Sequence, residues 1–464
     1  MPTSDTSPAD RHAAGLLAML DAAVPDAAMG SAPHVPAATA LADWAASGAM
    51  ALTGRADGPP LAAPGHAASA VRGALALFTS LTGAHALPDA GLLGERAALM
   101  GLTRRGPWSA GGAFRTLRTS DGWVGVSLAR QDDRDLVPAL VGEIVPDQDY
   151  WSALSSWTGG QGADAVAERA QMLGIPAAAV PSAPGTADDE QALHRAALTL
   201  HNVTGVPLLA TVGGPRRQLR SRPLVIDLTS LWAGPLCASL LGAAGACIVK
   251  VESPARPDGA RFGPPAFYDV LHTGHASVTL DLASPDGRDT LLRLVEQADL
   301  VLEASRPRAL RQLGIDAQEI VAAGTTWLSI TAYGRTGPWD NRVGFGDDVA
   351  AGAGLVVRDR DEVLPCGDAL ADPLTGVHAA VAAAAALRSE RAYLLDVSMR
   401  DVTAVASRGP VEPHHVRRLP SRGWQVETAE GVFPVREPYA RRAGRPAASQ
   451  GADTESTLAR FVHC

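Results

Sequence analysis

The turn between a short apolar segment and a helical segment is the first place in the sequence where a ligand could bind. Residues 224–228 predict a strand, and residues 233–245 predict a helix with a proline in its first turn and a glycine at its end. Because open α/β sheets bind ligands at the carboxyl ends of their strands, the turn 229–235 is a candidate lip of a site. It lacks the G-x-G-x-x-G pattern of dinucleotide-binding domains, and the sequence contains no Walker loop.

Two aspartates stand close to the start of an alanine-rich helical segment. Asp372 precedes Pro373 within the apolar run 371–387, and Asp368 follows Gly367 four residues earlier. From its position alone, Asp372 is predicted to cap the helix. Asp368 is predicted to shape a turn. The spacing by itself leaves open whether either carboxylate does chemistry.

The cysteines and histidines do not predict a metal or redox site. There is no C-x-x-C pair, so a zinc ribbon, a redox dithiol or a disulfide framework is not expected. The adjacent pair His414 and His415 has no further ligands nearby in sequence, and we therefore expect no metal cofactor. The four cysteines are widely spaced, at Cys237, Cys247, Cys366 and Cys464.

Composition and charge favour a soluble protein that acts on small molecules. The 464 residues are 46% hydrophobic, which allows a sizeable core, and the net charge is −9. This acidic balance argues against nucleic-acid binding, although a local basic pocket for one anionic cofactor remains compatible with it. The N-terminus lacks the pattern of a signal peptide, and the longest apolar stretches, such as 379–387, are far shorter than the roughly 20 residues of a membrane span. We therefore expect a cytoplasmic location and no membrane contact.

Four regions follow one another along the chain. Residues 222–408 alternate strand and helix, which predicts an open, mostly parallel, Rossmann-like α/β sheet with helices on both faces. Residues 104–215 predict a smaller α+β domain that begins with a hairpin around residues 120–122. Residues 1–103 predict a helical segment, and residues 409–464 a tail with one helical end.

The N-terminal region contains a segment whose sequence resembles part of the sheet domain. Residues 43–77 resemble residues 347–381, and both predict a helix, a Gly/Pro-rich loop and a second helix. The resemblance fits either a partial duplication or the chance similarity of alanine-rich helices. In a duplication, Gly73 would correspond to Gly376 and Ser69 to Asp372.

Four segments of the sheet domain, in order, resemble the family III CoA transferases, a superfamily that includes formyl-CoA and carnitine CoA transferases and α-methylacyl-CoA racemase. Residues 111–140 resemble the family's small domain, and residues 424–461 its C-terminal end. A small-domain segment that precedes the sheet domain is unusual for the family, and it suggests a fused, trimmed pair of copies. Family members form interlocked dimers, so the resemblance implies a homodimer or a pseudo-dimeric monomer. The four segments are 224–254, 277–316, 328–350 and 371–387.

The resemblance implies that Asp372 is the nucleophile of an enzyme that moves CoA from an acyl-CoA to a free carboxylate. Asp372 and Gly376 match the family's Asp-x-x-x-Gly pattern. The implied intermediates are a mixed anhydride and an aspartyl-CoA thioester. Gly111 and Gly112 match the family's glycine-rich loop, which covers the nucleophile and stabilises an oxyanion. From the sequence alone these glycines could equally form a plain turn into a strand.

The resemblance also implies a set of CoA contacts. Two positions that are basic in the family are Ser253 and Ala276 here, so their charge is lost. Arg256, Arg261, Arg306 or Arg308 would then compensate, or are solvated surface residues. The candidate CoA-binding residues are Ser230, Trp232, Ala233, Ser253, Arg256, His275, Ser305 and Arg306.

Two alternative functions remain open at this stage. Racemases of the superfamily pair the aspartate with a histidine that precedes another aspartate, but the matching residues here are Gly346 and Asp347, which disfavours that chemistry. His378 is predicted to pack within its helix. Another acyl-CoA reaction on the same fold, such as an isomerisation, is the first alternative. A non-catalytic subunit that binds CoA esters is the second, and the lost basic residues favour it.

Overall fold

The structure, a computed structural model, describes residues 6–146, 149–182, 207–419 and 423–462. Its helices are short to medium in length, and the longest is buried almost completely. In chain order they are α1 Pro8–Ala23, α2 Ala40–Ala46, α3 Ala67–Thr82, α4 Glu95–Met100, α5 Gln131–Asp135, α6 Val137–Val141, α7 Tyr150–Thr158, α8 Ala163–Leu173, α9 Ala233–Ala243, α10 Pro265–His272, α11 Pro285–Gln297, α12 Pro307–Gln312, α13 Ala317–Ala322, α14 Gly346–Gly352, α15 Ala371–Leu387, α16 Met399–Ala406 and α17 Thr454–Phe461.

The strands of the described residues form one large sheet and three small ones. In chain order they are β1 Phe114–Arg118, β2 Trp123–Ser127, β3 Ala177–Ala179, β4 Leu208–Pro215, β5 Leu224–Asp227, β6 Cys247–Glu252, β7 Ala276–Thr279, β8 Leu300–Glu303, β9 Thr326–Thr331, β10 Val356–Asp359, β11 Glu362–Pro365, β12 Arg391–Ser398, β13 His415–Leu419, β14 Gly423–Glu427 and β15 Val432–Val435.

The large sheet has seven strands in the order β4-β12-β9-β8-β5-β6-β7. All neighbours pair in parallel except β4, which runs antiparallel to β12 at the edge. The alternation of strand and helix predicted this mixed α/β architecture. Strand β4 comes from the segment that precedes the predicted sheet domain, so the sheet begins earlier in the chain than the pattern indicated.

Helices cover both faces of the large sheet. On one face α15 packs against α9, α3 and the strands β9 and β12. Because α15 consists almost entirely of alanine and other apolar residues, it can be buried on all sides. On the other face α11 and α13 pack their leucine, isoleucine and valine side chains on the strands. Helix α11 begins as predicted, since the Ser284 hydroxyl accepts a hydrogen bond from the Gly287 N–H.

The smaller α+β unit is built on the predicted hairpin. Strands β1 and β2 pair antiparallel around the 120–122 turn, with Leu117 opposite Val124. The segment 174–185, which the sequence indicated as a loop, instead contains β3, which pairs with β2 through alanines that fit the interior. Residues 183–206 lie outside the described residues.

The N-terminal helices do not stand apart from the sheet domain. Side chains of α1 and α3 share one hydrophobic core with α9, α15 and the sheet. The tail is more ordered than predicted, because the segment 410–422 contains β13, which pairs with β14. The predicted terminal helix is present as α17. Within the described parts of the chain, no helix combines the length and apolar character needed to cross a membrane.

Candidate active site around Asp372

Asp372 lies inside the first turn of α15 and does not cap it. Leu370 occupies the capping position, so the prediction of an N-cap aspartate is wrong by two residues. The Asp372 backbone N–H donates to the Ala369 carbonyl at 3.0 Å, and its carboxylate accepts a hydrogen bond from the Gly346 backbone. Burial raises the pKa of Asp372 to about 7, which makes this carboxyl group easier to protonate than an ordinary aspartate.

Asp368 lies in the turn that leads into α15, as predicted, but it is also half of a buried ion pair. Its carboxylate is completely buried and accepts two hydrogen bonds from Arg96, from Nε to Oδ2 at 2.8 Å and from Nη2 to Oδ1 at 2.5 Å. The turn is strained around it, because Ala369 has a φ of 49°, a left-handed conformation that is unusual for a residue with a side chain. Such strain often accompanies functional sites.

Asp347 holds this turn from the side of α14. Its Oδ1 accepts a hydrogen bond from the Ala369 N–H at 2.8 Å, and the Ser109 hydroxyl bonds to the same carboxylate. Burial, together with the nearby charge of Asp368, raises the pKa of Asp347 to about 6. Three carboxylates therefore share one small region, and the surroundings raise the pKa values of Asp347 and Asp372.

Gly346 touches Asp372 so closely that no side chain fits there. A Cβ atom added to Gly346 would lie 2.3 Å from Asp372 Oδ2 and 2.4 Å from the Ala369 carbonyl oxygen. The histidine that racemases of the superfamily carry at the matching position would collide with the carboxylate. This contact gives a physical reason for the absence of the second base that the racemase reaction needs.

Arg96 links the carboxylates to two other predicted site regions. Its guanidinium carbon lies 5.6 Å from the centroid of the Trp232 ring, at the start of α9. A Cβ atom on Gly111 would lie 3.4 Å from Arg96 Nη2 and 3.8 Å from Asp368 Oδ1. The fold therefore brings Asp372, Gly111 and Trp232 to a common centre, which the sequence treated as three separate candidates.

Gly112 lies beside this centre in a tight turn. Its N–H donates to the Ser109 carbonyl at 2.9 Å, and its φ of 77° favours glycine. A side chain there would also collide with the guanidinium of Arg105. The turn leads into β1, as the interpretation of Gly111 and Gly112 as a plain turn into a strand predicts, and their catalytic role stays a prediction.

The turn 229–235 lies at the carboxyl end of β5, as its topology predicts. Trp232 is buried and packs edge-to-face on Phe267, whereas Ser230 is exposed. The Ala233 carbonyl oxygen would lie 2.6 Å from a Cβ on Gly376, so glycine at 376 is what allows α9 to approach α15. Ala233 is therefore a packing contact of the helix that carries Asp372.

The remaining CoA candidates lie in two groups. Ser253 and Arg256 form a turn after β6, with Arg256 exposed. Ser305 donates to the buried Glu303 at 2.6 Å after β8, and Arg306, next in the chain, is exposed. Both turns lie at carboxyl ends of strands, on the edge of the sheet where ligands bind.

His275 does not lie with these turns. It precedes β7 and therefore lies towards the amino ends of the parallel strands, where it is buried against Gly242 of α9. Burial lowers the pKa of His275 to about 3, so its ring is neutral and supplies no positive charge for a phosphate. Arg261, one of the arginines expected to compensate, bonds to Glu252 at 2.5–3.1 Å. The side chain of Arg308 lies outside the described residues.

Arg96 is the residue at this centre that sequence reasoning missed. It belongs to α4, far from the motifs that indicated a site, and its partner Asp368 is 272 positions away in the chain. The surrounding sequence Gly-Glu-Arg-Ala carries no motif. Among the described residues, no group of three or more histidine, cysteine, aspartate or glutamate side chains is arranged to hold a metal ion.

Comparison with known proteins finds a family match that covers the sheet domain and part of the tail. Residues 222–438 match the model of CoA-transferase family III. The resemblance found in the sequence of this region agrees with this match.

Similar proteins are named as CoA transferases. A succinyl-CoA–D-citramalate CoA-transferase of Chloroflexus aurantiacus is 31% identical over 38% of this chain and 49% of its own length. A succinate–glutarate CoA-transferase of Agrobacterium fabrum is 31% identical over 38% of this chain and 50% of its own. The chain thus spans about half the length of the curated relatives it matches. A solved structure of Rv3272 from Mycobacterium tuberculosis is 29% identical over 47% of this chain and 66% of its own, with a TM-score of 0.39.

Proposed function

We propose that the protein is a CoA transferase that moves CoA from an acyl-CoA donor to a free carboxylate through Asp372. The observation that carries this proposal is the position of Asp372, whose carboxylate lies in the first turn of α15 beside Gly346, with the Arg96–Asp368 ion pair next to it. A carboxylate becomes an effective nucleophile where protein groups replace water around it. The family match of residues 222–438 supports the same reaction.

The reaction balances without a proton donor or an oxidant. A carboxylate oxygen of Asp372 attacks the thioester carbonyl carbon, the C–S bond breaks, and CoA leaves as the thiolate. The thiolate then attacks the aspartyl carbon of the mixed anhydride, which releases the donor as a carboxylate and leaves an aspartyl-CoA thioester. The acceptor carboxylate repeats these two steps in reverse order, so the second acyl-CoA is released and the Asp372 carboxylate is restored.

Each tetrahedral intermediate of this sequence carries an oxyanion. We propose that the backbone N–H of Gly111 stabilises it, because such donors are effective when fixed before the reaction. Gly112, whose own N–H donates to the Ser109 carbonyl, would shape the turn. The lack of side chains at both glycines would let the turn close on the substrate. Gly111 lies against the Arg96–Asp368 pair, next to the nucleophile, which supports this role.

We propose that CoA lies along the carboxyl edge of the sheet. The turn at Ser230, the turn at Ser253 and Arg256, and the turn at Ser305 and Arg306 all follow carboxyl ends of strands. The exposed side chains of Arg256 and Arg306 would then supply positive charge for phosphates. His275 is omitted from this group because it is buried and neutral at the other end of the sheet.

The proposal is tested by trapping the activated aspartate. The protein is incubated with a pool of acyl-CoAs, treated with hydroxylamine, and digested for peptide mass mapping. We expect a hydroxamate on Asp372 and none in the Asp372→Asn variant. A matched control is Asp286→Asn, since Asp286 is also in the first turn of a helix but is exposed on α11. Bound CoA ester without any modification would contradict catalysis and favour a non-catalytic binding subunit.

A further inference from the structure

Arg96 stands at the centre of the site although it comes from a region that the family model does not match. It belongs to α4, within residues 1–103, whereas the family match begins at residue 222. Its side chain is 24% exposed, and that of its partner Asp368 is completely buried. The pair is bidentate, a geometry that fixes both the guanidinium plane and the carboxylate.

The guanidinium is held from several sides. One face lies over the Trp232 ring, at 5.6 Å from its centroid. Gly111 lies against Nη2, where a Cβ would be at 3.4 Å. The same group acts electrostatically on the carboxylates of Asp347 and Asp372. Each of these neighbours comes from a different part of the chain, so Arg96 has few ways to move.

We propose that Arg96 is a positioning residue for the reaction at Asp372, supplied by the N-terminal region to complete the site. It fixes Asp368 and the turn into α15, and it places a positive charge beside the three carboxylates. This inference rests on the proposed function for its catalytic meaning, but the electrostatic part is measurable without any substrate. It assigns to residues 1–103 a contribution to the site of the sheet domain.

The balance of charges around Asp372 explains why the cation matters. Asp347 on α14 and Asp368 in the turn before α15 both carry like charge and raise the pKa of Asp372, in the same direction as burial. Arg96 on α4 and the backbone of Gly346 act in the opposite direction. Without Arg96, burial and two carboxylates would hold Asp372 protonated at neutral pH, and a protonated carboxyl group is not a nucleophile.

The experiment measures the ionisation of Asp372 directly. Infrared titration, with the Asp372→Asn spectrum subtracted, reports the protonated fraction of this carboxyl group in the absence of acyl-CoA. Arg96→Met is expected to raise the apparent pKa of Asp372 by about one unit or more, since a nearby opposite charge typically lowers the pKa of a carboxyl group by that amount. Arg96→Lys is expected to restore part of the shift, because it keeps the charge but loses the planar fork.

A matched control comes from the neighbouring ion pair. Arg441 bonds to the buried Glu95 through Nε and Nη2, both at 2.7 Å, on the residue next to Arg96. Arg441→Met should lower stability as Arg96→Met does, because each leaves a buried carboxylate without its partner. It should leave the titration of Asp372 unchanged, which separates a structural effect from an electrostatic one.

The outcomes are distinct from those of the proposed function. An unchanged apparent pKa of Asp372 in folded Arg96→Met overturns the inference, whether or not the wild type transfers CoA. If Arg96→Met fails to fold, the double variant Arg96→Met/Asp368→Asn removes both charges together, and the lysine variant keeps one. A rise in the pKa of Asp372 in the double variant supports the inference, since Arg96 acts on Asp372 more strongly than Asp368 does; no rise overturns it. Hydroxylamine trapping on the wild type decides the proposed function separately.

Discussion

Two helix pairs, α1 with α3 and α9 with α15, approach each other through the same kind of contact, a glycine against a backbone carbonyl. The polar groups beside the two contacts differ. In the N-terminal region Gly73 of α3 meets the start of α1, where a Cβ would lie 2.4 Å from the Ala9 carbonyl oxygen. In the sheet domain Gly376 of α15 meets the start of α9, where a Cβ would lie 2.6 Å from the Ala233 carbonyl oxygen. The sequence comparison of the two regions aligned these same glycines. A duplicated origin would produce such a match, and that origin stays a prediction.

The polar groups beside the two contacts differ in their charge balance. In the N-terminal region the buried Asp43 accepts hydrogen bonds from Ser69 and Arg72, both at 2.6 Å, so one carboxylate is matched by one cation and one hydroxyl group. In the sheet domain the position that would correspond to Ser69 is Asp372, and the three carboxylates of Asp347, Asp368 and Asp372 interact with Arg96. The first arrangement is a closed structural ion pair, whereas the second contains a buried carboxylate, that of Asp372, whose pKa is raised.

The largest expected difference between the two regions is the effect of losing their carboxylate on the rate of CoA transfer. Asp372→Asn should lower CoA transfer at least about a thousandfold, because it removes the nucleophile itself. Asp43→Asn should reduce stability by about 1–3 kcal/mol, since it weakens a buried hydrogen-bonded pair, and should leave transfer intact well below the melting temperature. Transfer rates and thermal unfolding of both variants check this. An equal loss of CoA transfer in Asp372→Asn and Asp43→Asn would contradict the proposal that only Asp372 takes part in the reaction.

Alanine at the two glycines sharpens the comparison of structure with function. Gly73→Ala and Gly376→Ala should each destabilise the protein by about 1–3 kcal/mol, because the new Cβ would press on a backbone carbonyl. Only Gly376→Ala should also slow transfer, since it shifts the helix that carries Asp372. Chemical denaturation gives the first quantity, and transfer assays at low temperature give the second. Normal transfer in Gly376→Ala would mean that the fit of α9 on α15 does not position the nucleophile.

The raised pKa of Asp372 predicts a pH-dependent stability effect. The folded pKa of about 7 exceeds the roughly 3.9 of an unfolded aspartate, so ionisation of the buried group costs stability as pH rises through the folded pKa. Asp372→Asn removes this cost. The melting temperature of the variant relative to wild type should therefore be higher at pH 8 than at pH 5.5, by a few degrees. A difference that does not depend on pH would show that Asp372 titrates normally.

The smallest predicted effect is on stability and comes from a cluster of three histidines between the two helix pairs. His12 of α1 lies between His66 at 3.3 Å and His378 of α15 at 2.7 Å, and the His378 Nδ1 lies 2.7 Å from the Leu374 carbonyl oxygen. The predicted helix-packing role of His378 thus agrees with its buried position. Burial lowers the pKa of His378 to about 4 and that of His12 well below its ordinary value.

These histidines should make the protein less stable in mild acid. As the pH falls below about 6.5, these histidines become protonated in the unfolded chain but stay neutral in the folded chain. The free energy of unfolding therefore decreases until the pH reaches the folded pKa. His378→Gln should reduce this loss by about 2 kcal/mol at most between pH 7 and pH 5. Urea unfolding at the two pH values measures the difference. An identical pH dependence in wild type and variant would contradict the account.

Local patterns predicted much of the sheet domain and the position of Asp372. The strands β5, β6, β8, β9 and β12 follow from apolar runs between helical segments, and the aspartate follows from a motif at the start of α15. Arg96 could not be predicted, because its role depends on a contact with Asp368 across 272 positions of chain. The burial of His275 was equally hidden, since its position before β7 matches a motif, while its neighbour on α9 is set by tertiary packing.

The most direct test of the central claim follows an oxygen atom. The protein is supplied with an unlabelled acyl-CoA and an acceptor carboxylate that carries a heavy oxygen isotope. After turnover, mass spectrometry measures the mass of the peptide that contains Asp372. Transfer through a mixed anhydride leaves one acceptor oxygen on the aspartate, so the account predicts the label on Asp372. New acyl-CoA formed with no label on Asp372 would contradict the proposal that this carboxylate carries the reaction.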